Sequence, residues 1–341
     1  LVAHPFAAAV VLNSGNANAA TGHHGLGVAE RTCALVAGGL GCAPEEVLVC
    51  STGLIGIPMD PAPFETGVPR LVTSLAGTPE AAGAAAEAIM TTDTASKEAI
   101  SLTTLSGGAT VTVGGMAKGA AMLSPAMATM LAVLTTDAAV EPRALHEALT
   151  RAVDATFNQL STDGARSTND TVILLASGAA GHDPVGFGGA DIHILTEAVT
   201  EVCASLADQM ATDAEGATKF VRVHVRGARS KEEARRAARA VAESQLVKCS
   251  LFGGDPYWGR ILSELGASGS HLEPDRVEIA YGGVTVCVAG EAAAHDGDAL
   301  AKVMAGRDLD ITCDLRLGLG EATVTTVDLT PAYIDENMRT S

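Results

Sequence analysis

The stretch from Gly115 to Asp137 concentrates residues capable of chemistry: a lysine, Lys118, a proline break at Pro125, and a small-residue junction, Ala128-Thr129, that opens a short apolar run. A threonine hydroxyl is a weak nucleophile near neutral pH and needs an adjacent base. A threonine at a chain start carries that base on its own α-amine, whose ordinary pKa of about 7.7–8.0 leaves a useful neutral fraction. Inside a continuous chain the same nitrogen is an amide and cannot serve. By spacing alone, the run after Ala128 reads as a buried core strand. It is not a membrane span, because Lys118, Pro125 and Asp137 interrupt the roughly 20 apolar residues a bilayer requires.

Other polar groups sit at the ends of apolar segments. Ser51-Thr52-Gly53-Leu-Ile-Gly56 follows a strand candidate ending at Cys50, a strand-to-turn junction where glycine permits close approach or positive φ. The block from Thr91 through Asp93 to Lys97 follows an Ala-rich helix candidate. It reads as a polar helix exit whose Thr and Asp satisfy nearby backbone groups. Asp213-Ala-Glu215-Gly216 reads as a polar turn between a long helix candidate and a strand. Lys118 lies in apolar surroundings, which disfavours a freely solvated loop lysine.

Taken together these blocks resemble the ornithine acetyltransferase (glutamate N-acetyltransferase) family, from about Val10 to the C-terminus. The most specific part is Lys118–Asp137, supported by Ser51–Gly56 and Thr91–Asp93. The resemblance implies self-cleavage between Ala128 and Thr129, giving an α chain of residues 1–128 and a β chain of residues 129–341 that begins with the nucleophile Thr129. It implies that Thr52 and Gly53 form the oxyanion hole and that Thr91 and Lys118 contact substrate. Glu215 is implied to bind substrate and act in catalysis. Asn337 and the terminal Ser341, or Thr340 in its place, are implied to line the pocket. The implied reaction, in cytoplasmic arginine biosynthesis, moves acetyl from N-acetyl-L-ornithine to L-glutamate through acetyl-Thr129, with no bound cofactor and no metal. The implied partners are the two cleaved chains, held together in an oligomer of such heterodimers.

The Asn13–Gly22 and Ser167–Thr171 blocks also resemble family segments and read as hydrogen-bonded turns near the site. In Asp255-Pro-Tyr257-Trp258-Gly-Arg260, Tyr257 stands where the family has asparagine, a departure that bears on local packing. The chain opens Leu1-Val-Ala-His-Pro-Phe without an initiator methionine. Family members carry several tens of residues before the point matching Val10–Asn13, so a preceding segment is expected. Three alternatives stay open. The same fold could use acetyl-CoA to acetylate glutamate or serve a specialised-metabolism substrate. A related self-cleaving aminopeptidase or amidase would use water as acceptor. A non-enzymatic binding or structural protein would never mature.

Composition narrows the classes. A net charge of −18 opposes binding to nucleic acid, which calls for a basic stripe, and to anionic membrane surfaces. Hydrophobic residues make up 47% of the 341 but aromatics only 3%, so Ala, Val, Leu and Ile must fill the core. The seven cysteines are scattered with no CxxC pair, and read as reduced, buried small hydrophobes rather than a disulfide framework or zinc site.

The elements that must position the reactive groups are read from periodicity. Strands are expected at Ala8–Leu12, Glu46–Cys50, Ala109–Val113, Thr129–Thr135, Thr171–Ala176, Phe220–Arg226, Arg276–Ala280, Val284–Ala289, Leu309–Leu315 and Ala322–Leu329. Tyr281-Gly282-Gly283 suggests a hairpin turn. Helices are expected at Leu26–Val36, Pro79–Met90, Pro142–Leu160, Ala190–Met210 and Lys231–Leu246, the last with a capping box formed by Ser230 and Glu233. Helices mixed with many strands give an α/β (α+β) protein. The resemblance sharpens this to stacked sheets flanked by helices, similar in shape to N-terminal-nucleophile hydrolases but not in connectivity.

Overall fold

The computed structural model describes residues 6–122 and 130–338. Three sheets organise them. A parallel pair, β1 (Ala9–Asn13) and β2 (Val47–Ser51), is joined through helix α1 (Gly22–Leu40). After helices α2 (Ala62–Ser74) and α3 (Pro79–Ala88) comes a four-stranded sheet in the order β3-β4-β5-β6: Lys97–Thr104, Thr110–Lys118, Leu131–Thr136 and Thr171–Ala176. Helix α4 (Pro142–Ala155) lies between β5 and β6, and α5 (Ala190–Thr212) follows β6.

The rest of the chain builds the third sheet. Strand β7 (Phe220–Ala228) is followed by helices α6 (Lys231–Glu243), α7 (Gln245–Phe252) and α8 (Trp258–Ala267). Then come β8 (Glu278–Tyr281), β9 (Val284–Val288), β10 (Glu291–Ala292), helix α9 (Gly297–Ala305), β11 (Asp308–Asp314), β12 (Gly320–Val327) and helix α10 (Pro331–Asn337). The six strands lie in the order β10-β9-β8-β11-β7-β12.

The sheets are layered by which face is apolar. Helices α4 and α5 cover one face of the four-stranded sheet, burying Val111, Val113, Leu134 and Leu174 against Leu195, Val199, Val202 and Leu206. On the sheet's other face, Leu131 and Ile173 meet Cys50 and its β1-β2 neighbours Val10, Leu12 and Leu48. In the third sheet, Val221, Val223 and Val225 alternate inward while Arg222 and Arg226 face the other way, as a half-covered strand requires. Helix α6 lies on this sheet through Ala234, Ala237, Ala238, Val241 and Ala242, a helical stripe of small residues that allows close approach.

Several expectations are corrected in detail. Strand β4 does not stop at Val113 but runs through Gly114-Gly115 to Lys118, because it is paired on both sides. A Cβ on Gly115 would come within 3.1–3.3 Å of Leu134, Val202 and Leu206, so this glycine serves close packing rather than a break. The long 231–246 helix is two: Ser244 leaves helical geometry (ψ 117°) and its hydroxyl accepts the Val247 N–H, starting α7. Helix α4 ends at Ala155, and Phe157–Gln159 form a separate 3-10 turn. The capping box is half formed: Ser230 Oγ accepts the Glu233 N–H, but the Glu233 carboxylate pairs with Arg229. The cysteines are free, yet Cys249 is exposed and Cys33 and Cys42 only half-buried. The Gly282-Gly283 turn, both residues at positive φ, joins β8 and β9 as a hairpin.

Candidate active site

The register of β4 against β5 places Lys118 opposite Leu131, beside the start of β5 and two residues past Thr129. Its side chain is 3% exposed. Lys118 Nζ donates to Thr91 Oγ1 at 2.7 Å and to Thr52 Oγ1 at 3.4 Å, and lies 3.8 Å from Asp93. Asp93 is itself held by Lys97 Nζ at 2.7 Å and by the N–H groups of Gly119 and Thr91. Lys97 reaches on to Asp213 at 2.6 Å. The result is an alternating ion chain, Asp213–Lys97–Asp93–Lys118, that spans β3, β4 and the end of α5.

Charges in such a place shift in opposite directions. Burial works against the charged form of Asp93, but Lys118, Lys97 and the Gly119 N–H outweigh it and hold the carboxyl below its ordinary range. Burial lowers Lys118, and Lys97 adds to that, while Asp93, Glu215 and Asp170 pull the other way and recover only part of the shift. A lysine ammonium has three donors. Those of Lys97 are taken by Asp93, Asp213 and the Ala95 carbonyl. Lys118 has one short bond and one long one, which leaves capacity for a ligand carboxylate.

Thr52 is 1% exposed and follows directly from β2. Its N–H donates to Asn13 O, and its hydroxyl oxygen accepts from Lys118, so the hydroxyl proton is free to point elsewhere. Gly53 has φ +127°, and a Cβ there would lie 2.2 Å from the Gly15 carbonyl carbon and 2.6 Å from Asn16 N. No other residue fits. Among the described residues the Gly53 N–H donates to no acceptor. The Asn13–Gly22 segment that crowds it is braced by Asn13 Nδ2 on Asn16 O and by Asn18, which bonds Gly25 O and accepts from Thr21.

Glu215 lies in the turn after α5, 8% exposed. Its N–H donates to Ala120 O, tying the turn to the segment after β4. Its carboxylate accepts from Asn337 Nδ2 at 2.7 Å. Asn337 is delivered by α10, which Thr330 caps by accepting the Tyr333 N–H while donating to Gly216 O. On the other side, Asp170 Oδ1 accepts the Met130 N–H at 2.9 Å. Burial pushes the Asp170 carboxyl up to about 7, against the Met130 N–H, Ser167 and Lys118. A cavity of about 270 Å³ between α1, β2 and residues 168–171 is lined by Asn18, Ser51 and Asp170 but not by Lys118 or Glu215, so it lies beside the charged handles rather than between them.

With this geometry in view, likeness to known proteins is decisive. The ArgJ family matches residues 2–340. The arginine biosynthesis bifunctional protein ArgJ of Symbiobacterium thermophilum is 46% identical over 329 residues, covering 96% of this chain and 81% of that protein. Its namesake in Mycolicibacterium paratuberculosis is 48% identical over 338 residues, covering 96% and 80%. This chain belongs to the ArgJ family. The crystal structure of arginine biosynthesis bifunctional protein ArgJ from Bacillus halodurans superposes with a TM-score of 0.58 at 32% identity, over 60% of this chain and 96% of that one.

Within this ArgJ-family chain, Thr52, Thr91 and Lys118 are in direct contact, Gly53 adjoins them, and Glu215 and Asn337 form a second bonded pair within electrostatic reach of Lys118. Ala128, Thr129, Thr340 and Ser341 lie outside the described residues. Lys118 is the last residue of a strand, not part of a loop. Sequence reading gave no individual role to Lys97 or Asp170, although both fall in blocks it singled out. The four-residue spacing of Asp93 and Lys97 was an available signal, whereas Asp213 stands 116 positions from Lys97, beyond any local pattern. Tyr257 is exposed, with Arg260 over its ring at 5.3 Å, so the departure from the family's asparagine falls on the surface.

Proposed function

We propose that this ArgJ-family chain cleaves itself between Ala128 and Thr129 and then moves acetyl from N-acetyl-L-ornithine to L-glutamate through an ester on Thr129. It acts as an acetyltransferase of arginine biosynthesis. The observation that carries the reading is the pair of opposite buried handles: Lys118 on its threonines, and Glu215 on Asn337. Acetylornithine presents a carboxylate and a free ammonium, and each would find its counter-charge in a dry setting where such bonds are strong.

The chemistry balances with the groups present. In maturation the Thr129 hydroxyl oxygen bonds the Ala128 carbonyl carbon, the C–N bond breaks, and the hydroxyl proton leaves on the new amine. Water then cleaves the ester, restoring the hydroxyl and leaving an Ala128 carboxylate. In turnover the freed α-amine takes the hydroxyl proton as oxygen bonds the acetyl carbon. That proton departs with ornithine's amine. The glutamate amine then attacks the ester and its proton returns to the hydroxyl. In each tetrahedral intermediate, Thr52 Oγ1–H and Gly53 N–H are the donors to the oxyanion.

A denaturing mass spectrum tests maturation: the expected result is two pieces, residues 1–128 and 129–341, and a single intact mass in active protein would refute it. N-acetylornithine alone should add one acetyl group to the larger piece, and glutamate should remove it. Loss of the label to water without glutamate would favour the amidase reading. The relatives are named bifunctional proteins, which supports a second acetyl source. Acetyl-CoA-dependent acetylation of glutamate, assayed without acetylornithine, is the matching measurement.

A further inference from the structure

Lys118 and Glu215, the opposite charges the proposed reaction requires, stand on elements far apart in the chain, yet polar links join those elements at two places. Asp213 ends α5, two residues before Glu215. Its Oδ2 accepts from Lys97 Nζ at 2.6 Å and from the Thr94 N–H at 3.0 Å, and its Oδ1 accepts the Thr94 hydroxyl. Lys97 Nζ also donates to Asp93 Oδ1 at 2.7 Å. Asp93 fixes the far end. Its Oδ1 accepts the N–H of Gly119, next to Lys118, at 2.7 Å, and its Oδ2 accepts the Thr91 N–H at 3.1 Å. The second link is the Glu215 N–H on Ala120 O at 2.9 Å, two residues past Lys118.

These links close a ring. It runs from Lys118 through Asp93, Lys97 and Asp213 to Glu215, and returns through Ala120. The bond at Ala120 alone would leave the Glu215 turn free to pivot, and the tie at Asp213 removes that freedom. The side chains of Asp93 and Lys97 are buried and that of Asp213 nearly so. Charge-assisted bonds away from water are short and about twice as strong as neutral ones. Lys97 spends its three donors on Asp93, Asp213 and the Ala95 carbonyl, which leaves none for a ligand. These three side chains therefore set where Lys118 and Glu215 sit, and take no part in what the two hold.

We propose that Asp93, Lys97 and Asp213 form a spacer that fixes the separation of Lys118 and Glu215, and so selects the length of the diamino acid that can bridge them. The inference rests on the functional reading above, in which Lys118 takes the substrate carboxylate and Glu215 its free ammonium. A donor with one methylene more or fewer, its carboxylate on Lys118, carries its ammonium to the wrong depth. Against a rigid ring, either that ammonium misses Glu215 or the acetyl group is displaced from the reacting position. A displacement of about 1 Å can cost roughly 100-fold in rate. A ring opened at Asp213 lets the Glu215 turn follow the substrate, so the homologues are tolerated and the best donor is held less well. The three are positioning residues: they act through Lys118 and Glu215 and touch no substrate atom.

The test compares kcat/KM for three acetyl donors, Nα-acetyl-L-2,4-diaminobutyrate, N-acetyl-L-ornithine and Nα-acetyl-L-lysine, with L-glutamate as acceptor. Wild-type protein should prefer the ornithine derivative to either homologue by roughly 100-fold. Asp213→Ala removes the tie to Thr94 and Lys97 but leaves Lys97 paired with Asp93. It should shrink the preference to within roughly tenfold, and raise KM for the ornithine derivative more than it lowers kcat. Asp213→Asn still accepts from Lys97 and Thr94 and should keep the preference within about threefold of wild type. Thr94→Val, at an exposed position, removes one bond to Asp213 without touching the buried charges, and should give an intermediate preference even if Asp213→Ala folds poorly. Loss of folded protein lowers kcat/KM for all three donors by one factor and leaves their ratios alone, so the ratios separate spacing from mere stability. Wild-type ratios in both Asp213→Ala and Thr94→Val would overturn the spacer, as would wild-type protein that uses the three donors equally well. Wild-type protein that transfers acetyl from none of them would instead end the functional reading, and the spacer with it.

Discussion

Two buried lysines flank Asp93, and their hydrogen bonds separate their roles. Lys97 spends its donors on Asp93, Asp213 and the Ala95 carbonyl, all within the protein. Lys97→Met leaves two carboxylates short of their counter-charge and should cost about 3–5 kcal/mol of stability, read from denaturant unfolding of the uncleaved Thr129→Ala chain. Lys118→Met leaves Asp93 with Lys97, so stability should change little while KM rises roughly 10–100-fold. The reverse pattern would make Lys118 the structural member. Thr52→Ala should lower kcat roughly 10²–10³-fold with a smaller change in KM, and unchanged turnover in processed protein would leave Thr52 a turn residue. Asp170 gives a pH signature. Its carboxyl is raised to about 7 in the folded protein, against about 3.9 in an unfolded chain. The folded state therefore binds this proton more tightly, so its stabilising contribution is full below about pH 4 and lost as pH rises through about 7. Between pH 4.5 and 7.5 the Thr129→Ala chain should lose on the order of 2 kcal/mol relative to the same chain with Asp170→Asn, the roughly 3 kcal/mol of the full shift over this window being reduced by solvent screening at this half-buried carboxyl. Parallel stability curves would show that Asp170 ionises freely.

Elements bring these residues together, and the tightest junction is where α10 meets the turn after α5. A Cβ on Gly216 would lie 2.3 Å from Tyr333 N, and Gly216 has φ +62°. Gly216→Ala should therefore push α10 off the turn, break the Asn337–Glu215 bond, and raise KM more than it lowers kcat, with cleavage still complete. An unchanged KM would separate α10 from substrate binding. The contact between α10 and Gly216 was not legible in the sequence, where Asn337 carried only an implied pocket role and Gly216 read as part of a polar turn. The strands with alternating or β-branched runs were legible, β7 and β11 most clearly, because burial of one face leaves a period-two trace. Strand β3 was missed, since its Lys, Glu, Ser and Thr look like loop residues until Lys97 is seen to be buried in an ion chain. Helix α2 was missed because Pro61, Pro63 and Pro69 read as punctuation, though the first two stand where a helix tolerates proline. For the proposed site, family motifs pointed to Thr52, Gly53, Thr91, Lys118, Glu215 and Asn337. What they could not supply is the order of contacts among them, which depends on the β3-β4-β5 register and on pairs more than a hundred positions apart.

At the scale of the whole molecule, a cut before Thr129 would fall within one continuous core. Strand β4 ends the first piece and β5 begins the second, and the two are paired from Val113 opposite Thr136 to Lys118 opposite Leu131. The core beneath them mixes Leu105, Val111, Val113 and Ala117 from one side with Leu134, Leu174, Val202 and Leu206 from the other. Cys50 of the β1-β2 layer rests on Leu131 and Ile173. The Lys97–Asp213 ion pair and the Glu215 N–H bond to Ala120 O also cross the cut. Such an interface has the character of a domain core rather than of a docking surface, and obligate interfaces of that kind do not dissociate on dilution. The pieces should co-elute in size-exclusion chromatography at nanomolar concentration and separate only in denaturant. Residues 1–128 made alone should be insoluble or unfolded, because β3 and β4 would expose the apolar face that α5 covers. Cleaved protein whose pieces part on simple dilution would mean that the break lies between independently folded units, contrary to the sheet that joins them.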